Sequence, residues 1–140
     1  MSNSPRFTLN RTVVMLMPKE PFLQWLNDAD PEEQALLTED FRDDNNVFLI
    51  PQFIDTLDSL KWVEKRWTML FEHMLLEWIV DETMWPQHRT LAMFREWFDV
   101  EIYTMVWDLA EDELLLEDWQ DDGDGEEDAA DEENERIILH

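Results

Sequence analysis

The sequence predicts an α+β domain, about three strands packed against helices in the order β-α-β-α-α-β, and three observations carry that prediction. Two short aliphatic runs, RTVVMLMPK from Arg11 and NNVFLIP from Asn45, each stop at a proline, the pattern of a buried strand. The stretch from Asp58 to Val80 repeats apolar residues at helical spacing. Further on, DVEIYTMVWDLA from Asp99 alternates, with Val100, Ile102, Thr104 and Val106 on one side and Glu101, Tyr103, Met105 and Trp107 on the other. That is the period of a strand. Strands and helices interleaved in this way bury their apolar faces by packing in layers around one core.

The elements follow in order. Residues 1–10 form a flexible start and 11–110 the folded domain. After the first strand, KEPFLQWLNDADP places Pro21 in the first turn of a helix, where its missing N–H costs nothing, and sets Phe22, Leu23, Trp25 and Leu26 on one face. Asp30-Pro31 ends that helix. A polar connection follows, in which Thr38 can cap a turn or two around Phe41. The second strand leads to the clearest helix in the chain, with Leu60, Val63, Trp67, Leu70, Phe71, Met74, Leu75 and Trp78 on its stripe and Asp58 or Thr56 as its N-cap. Trp62, Leu76 and Ile79 widen the stripe, so the helix is covered on more than one side or breaks near His73.

The segment DETMWPQHRTLAMFREWF, Asp81 to Phe98, gathers a histidine, an arginine, a threonine and several carboxylates among four large aromatics. Catalytic and structural readings compete there. Pro86 forces Trp85 out of the helical region and Thr90 is a natural N-cap, which makes the segment the entrance to a helix burying Leu91, Phe94, Trp97 and Phe98. Trp25, Trp67, Trp78 and Trp97 then belong to one core. The chemical alternative is a polar site built on His88, Arg89 and Asp108, with His88 as base and Arg89 holding an anion. No serine or cysteine nucleophile accompanies them in a recognised motif.

Composition narrows the function classes. The chain of 140 residues has eight Trp, eight Phe, no Cys and two Gly, Gly123 and Gly125. Without cysteine there are no disulfides, thiolate metal sites or cysteine nucleophiles. The glycine positions leave no phosphate-binding loop and no dinucleotide fingerprint, so no cofactor is expected. His73 and Glu77 share a helix face, yet two ligands fall short of a zinc site. A calcium-loop register from Asp118 puts Gly123 at the turn but Ala129 where a bidentate Glu is required. No secretory signal and no apolar run of about 18 residues is present, so a cytoplasmic setting is expected.

Net charge is -25. Residues 111–140 carry 15 acids and one Arg, a net of -14, leaving 20 acids and 9 bases, a net of -11, in residues 1–110. Such a chain is repelled by nucleic acid and by anionic membranes. It attracts basic protein surfaces instead, and mimicry of nucleic-acid charge is one form that attraction can take. The acidic tail, residues 111–140, is expected to bury little until its end, where Arg136, Ile137, Ile138 and Leu139 form a β-prone apolar cluster. That cluster docks on a partner, folds back on its own sheet, or has no role. The expected activity is therefore non-enzymatic capture of a basic protein, with an antitoxin-like inhibitor as one further form. Oligomeric state is not fixed by these features.

The strings WPQHRTLAMFREWFDVE, MVWDL, PKEPFLQWLN and VFLIP together resemble a family of small bacterial proteins with a WPxxRTxxxFxxWF pattern and no assigned activity. The resemblance spans roughly residues 10–110. It implies a bacterial cytoplasmic α+β domain with an acidic surface, and it brings no site residue with it.

Overall fold

A computed structural model describes residues 4–29, 40 and 45–119. The elements in chain order are β1 (Phe7–Thr8), β2 (Arg11–Pro18), α1 (Glu20–Ala29), β3 (Val47–Pro51), α2 (Thr56–Lys65), α3 (Trp67–Leu76), a 3₁₀ turn (Glu82–Met84), α4 (Leu91–Trp97), β4 (Phe98–Tyr103) and β5 (Trp107–Asp108). The fold is α+β, as expected. The chain divides into two compact units, one of Thr8–Val106 and one of the flanking chain, Met1–Phe7 with Trp107–His140. The expected capped turn at Thr38 and Phe41 lies outside the described residues.

In the larger unit β2 is the central strand of a three-stranded antiparallel sheet ordered β3-β2-β4. Its register pairs Thr12 with Ile50, Val14 with both Phe48 and Ile102, Leu16 with Val100, and Pro18 with Phe98. Residues directly opposite one another share a face, so these rows form one side of the sheet. The helices lie on that side. Phe98 packs against Phe22 of α1, Phe71 of α3 and Phe94 of α4 with ring centroids 5.3–5.4 Å apart, and Phe48 meets the His73 ring of α3. Val14, Leu16, Phe22, Val63, Phe71, Met74, Leu75, Phe94 and Phe98 are the buried centre. Among the described residues two polar side chains sit inside and are satisfied: Thr12 Oγ1 accepts from Phe53 N at 3.0 Å, and Ser59 Oγ donates to the Asp55 carbonyl.

The long helix of the sequence reading is two helices, and the break falls at Arg66, not near His73. In an unbroken helix the Trp62 carbonyl would accept from the Arg66 N–H. Here Arg66 Nη1 takes that carbonyl at 3.2 Å while its guanidinium lies 3.6 Å from the Trp62 ring centre, and the Arg66 N–H turns to Val63 O instead. The side chain thus displaces the backbone from its own helical bond. The N-cap is Asp55, whose Oδ1 accepts from Leu57 N at 2.9 Å, in place of the expected Thr56 or Asp58. Thr56 becomes the first helical residue and Asp58 lies in the first turn, where a carboxylate suits the helix dipole.

The tryptophans divide differently from expectation. Trp97 is buried, and its ring meets those of Phe22, Trp25 and Phe71. Trp25 and Trp67 are half-buried against the core. Trp78, 44% exposed, leaves it, because α3 ends at Leu76 before the stripe reaches that position. Trp85 joins the core in its stead, its Nε1 donating to Ile79 O at 2.7 Å.

Candidate functional site

The WPQHRT segment is assembled as a helix entrance. Thr90 is the N-cap of α4, with extended backbone and Oγ1 accepting from Met93 N at 3.1 Å. Arg89 is committed to architecture: Nη2 donates to Glu72 Oε2 at 3.0 Å, Nη1 donates to Pro86 O at 2.9 Å, and the guanidinium sits 5.6 Å from the Trp85 ring centre. It ties the loop to α3 and covers a core tryptophan. His88 is exposed and adopts a left-handed backbone with φ 59°, a conformation that costs a residue bearing a Cβ. Asp108 belongs to the other unit, where its Oδ1 accepts from Ala110 N at 3.0 Å in a local turn.

Other polar groups are similarly occupied. Arg95 of α4 grips Glu64 of α2 through two bonds, and that hydrogen bonding holds the Glu64 carboxyl below its ordinary range against the opposing pull of burial. Asp81 caps the 3₁₀ turn, and the Thr83 hydroxyl and backbone N–H that donate to its Oδ1 hold its carboxyl below the ordinary range. His73 Nε2 is 3.7 Å from Glu77 Oε2, beyond hydrogen-bond reach, and is buried without a partner. Among the described residues, no three His, Asp or Glu side chains gather as a metal ion requires. A cleft of about 430 Å³ opens between α2, the start of α3 and the start of α4, lined by Lys61, Glu64, Lys65, Trp67 and Leu91. Its one carboxylate is the one Arg95 holds.

Apolar side chains stand in water at several places among the described residues, Ile54 at 99% and Val80 at 77% among them, and two of these places are a sheet face and the chain after β5. The first is the sheet face away from the helices, whose rows are Leu49–Val13–Tyr103 and Val47–Met15–Glu101, with Arg11–Pro51 at one end and, at the other, Met17–Asp99, where Met17 is buried. Val47, Leu49 and Tyr103 are each about half exposed, at 56%, 51% and 49%. An antiparallel sheet with one solvated face ordinarily alternates apolar-in and polar-out. Here the outward positions of β2 and β3 are apolar at Val13, Met15, Leu49 and Val47, with Arg11 opposite Pro51 at one end. Carboxylates stand only on β4, where Glu101 accepts from Tyr103 Oη at 3.0 Å and Asp99 lies 3.8 Å from Lys19.

The second lies in the smaller unit, in EDELLLEDW from Glu111 to Trp119. Leu115 is 89% exposed and Trp119 86%, with Leu114 and Leu116 also exposed. Five carboxylates and no base share this stretch. The sequence carries the signal of these four side chains plainly, as three consecutive leucines and a tryptophan between acids. Arg136, Ile137, Ile138 and Leu139, the interaction residues expected from sequence, lie outside the described residues. No helix among the described residues is long and apolar enough to cross a membrane. No family model, curated protein or solved structure matches the chain.

Proposed function

We propose that the protein is a non-catalytic binding protein of the bacterial cytoplasm that captures a basic protein partner. The observation that carries this reading is the Glu111–Trp119 stretch, where Leu115 and Trp119 stand almost wholly in water in a run that holds five carboxylates and no basic residue. Exposed apolar side chains of this size and grouping mark interaction sites. Carboxylates around them draw in a cationic surface and orient it, and the apolar contacts then slow its departure. The structural employment of Arg89 supports the same reading, since the cation of the His88, Arg89 and Asp108 set ties the helix entrance to α3. The absence of cysteine is compatible with a reducing compartment.

The test is affinity capture from bacterial extract at low salt with the wild-type chain and with Leu115→Ser/Trp119→Ser, a double variant of unchanged charge, followed by titration of the purified captured protein. The expected partner has a high isoelectric point and loses about tenfold or more in affinity for the variant, the scale of losing about 1.4 kcal/mol of contact. Capture of the same proteins with equal affinity by both chains, or of acidic proteins only, contradicts the reading.

A further inference from the structure

We infer that the cleft between α2, α3 and α4 binds a small amphipathic anion, a carboxylate carried on an apolar body, with Lys61 and Lys65 holding the charge and Trp67 and Leu91 the body. Lys61, Glu64 and Lys65 stand at i, i+3 and i+4 on α2 and so share one side of it, while Ser59 and Val63 of the same helix are buried in the core. The break at Arg66 makes Trp67 the first residue of α3, and Leu91 is the first of α4. Both of these side chains are half-buried. Three elements thus bring two cations and two apolar side chains to one opening of about 430 Å³, which is the size of a small-molecule site.

Charge selects the class of ligand. The chain holds 35 acids against 10 bases, and Lys19, Arg89 and Arg95 are each paired with a carboxylate. Lys61 and Lys65 have no such partner among the described residues. The carboxylate between them in sequence, Glu64, is held by Arg95 through both of its oxygens at 2.8 and 2.9 Å. The cleft therefore carries two uncompensated positive charges on a chain of net -25. Like charges one helical turn apart repel, and an anion set between them removes that repulsion. The remaining carboxylates oppose an anion from a distance, but at physiological salt their reach is only about 8 Å. A carboxylate in contact with both ammonium groups is screened far less. Cations of a basic partner are disfavoured at the same place, so this site does not depend on capture through the Glu111–Trp119 stretch.

The probe is naphthalene carboxylate, titrated into the full chain at about 150 mM salt and followed by amide-correlation NMR. Its neutral carboxamide has the same shape without the charge, and acetate has the charge without the body. Expected are saturable binding with a Kd of about 1 mM or tighter and an advantage of about fivefold or more over both controls. The shifts should centre on the amides of Lys61, Lys65, Trp67 and Leu91. Lys61→Gln/Lys65→Gln should bring the carboxylate down to the level of the carboxamide, and Lys61→Arg/Lys65→Arg should keep most of the advantage. Both lysines are exposed, so the glutamine pair should leave the melting temperature unchanged, and retention by the arginine pair distinguishes lost charge from altered packing. Equal affinity for carboxylate and carboxamide, an unaffected glutamine variant, or shifts centred outside the cleft would each overturn the site. So would the absence of binding. Displacement of the probe by hexaglutamate at lower concentration would assign the cleft to an acidic polypeptide and overturn the proposal as well.

Discussion

Arg95 holds Glu64 with two nearly parallel bonds, Nε to Oε2 at 2.9 Å and Nη2 to Oε1 at 2.8 Å, and so fastens α4 to α2 across the outside of the helical layer. The folded-state pKa of Glu64 is depressed, first by this hydrogen bonding and then by the Arg95 charge, despite the opposing effect of burial. Between the folded and unfolded values the unfolded chain therefore binds more protons. The stabilisation is present above the unfolded value and is lost as pH falls through the folded one. Glu64→Gln should lower the melting temperature at neutral pH, and the difference from wild type should close below about pH 4. Because the Arg95 end is solvent-exposed, the difference should be modest and should shrink with salt. A gap between the two melting curves that is independent of pH would contradict this account of the pair.

Trp97 closes the core from the C-terminal end of α4, and the carbonyl of the same residue accepts from Lys19 N at 2.8 Å where β2 turns into α1. Its ring touches three aromatic neighbours, so truncation leaves a cavity among groups too rigid to fill it. Trp97→Ala should cost about 3–5 kcal/mol. The corresponding change at Trp78, which is 44% exposed, should cost clearly less. Urea midpoints for the two variants provide the comparison, and equal losses would place α3 and α4 in the wrong register.

At the entrance to α4 two adjacent substitutions should act in opposite directions. Thr90→Ala removes the acceptor for Met93 N and should cost about 0.5–2 kcal/mol, with Ser restoring most of it. His88→Gly relieves a left-handed residue of its Cβ penalty of about 1–2 kcal/mol, less the added freedom of glycine when unfolded. A net gain of about 0.5–1 kcal/mol is expected. Thermal melts decide both. A destabilised His88→Gly would mean that the imidazole has a structural partner that offsets its backbone strain.

The layers of this fold were legible because their signals are local. Aliphatic runs stopped by prolines, the helical stripe from Leu60 to Leu75 and the Pro86–Thr90 entrance each read correctly from neighbouring residues alone. What escaped depends on competition between groups. At Arg66 the side chain takes the Trp62 carbonyl that a helical N–H would bond, and sequence periodicity continues through the break without a mark. Asp55 displaces Thr56 and Asp58 as cap for a similar reason, since three oxygen-bearing side chains in four positions could each have served. The open sheet face was also hidden. The aliphatic run of β2 reads as a strand buried on both sides, and only the pairing register reveals that Val13 and Met15 look away from the helices. In the tail, net charge overshadowed Leu114–Leu116 and Trp119.

The central claim is that charge brings a basic partner to this chain, and the association rate of the captured partner as a function of salt tests it most directly. Exposed carboxylates act over about 8–10 Å near physiological ionic strength, and added salt shortens that reach. Between about 50 mM and about 500 mM salt the association rate should fall steeply while dissociation changes little. Deleting residues 111–140 removes a net -14 of -25 and should slow association at low salt without lowering the melting temperature of the Thr8–Val106 unit. An affinity that is equal at both salt concentrations, and equal with those residues removed, would contradict the account.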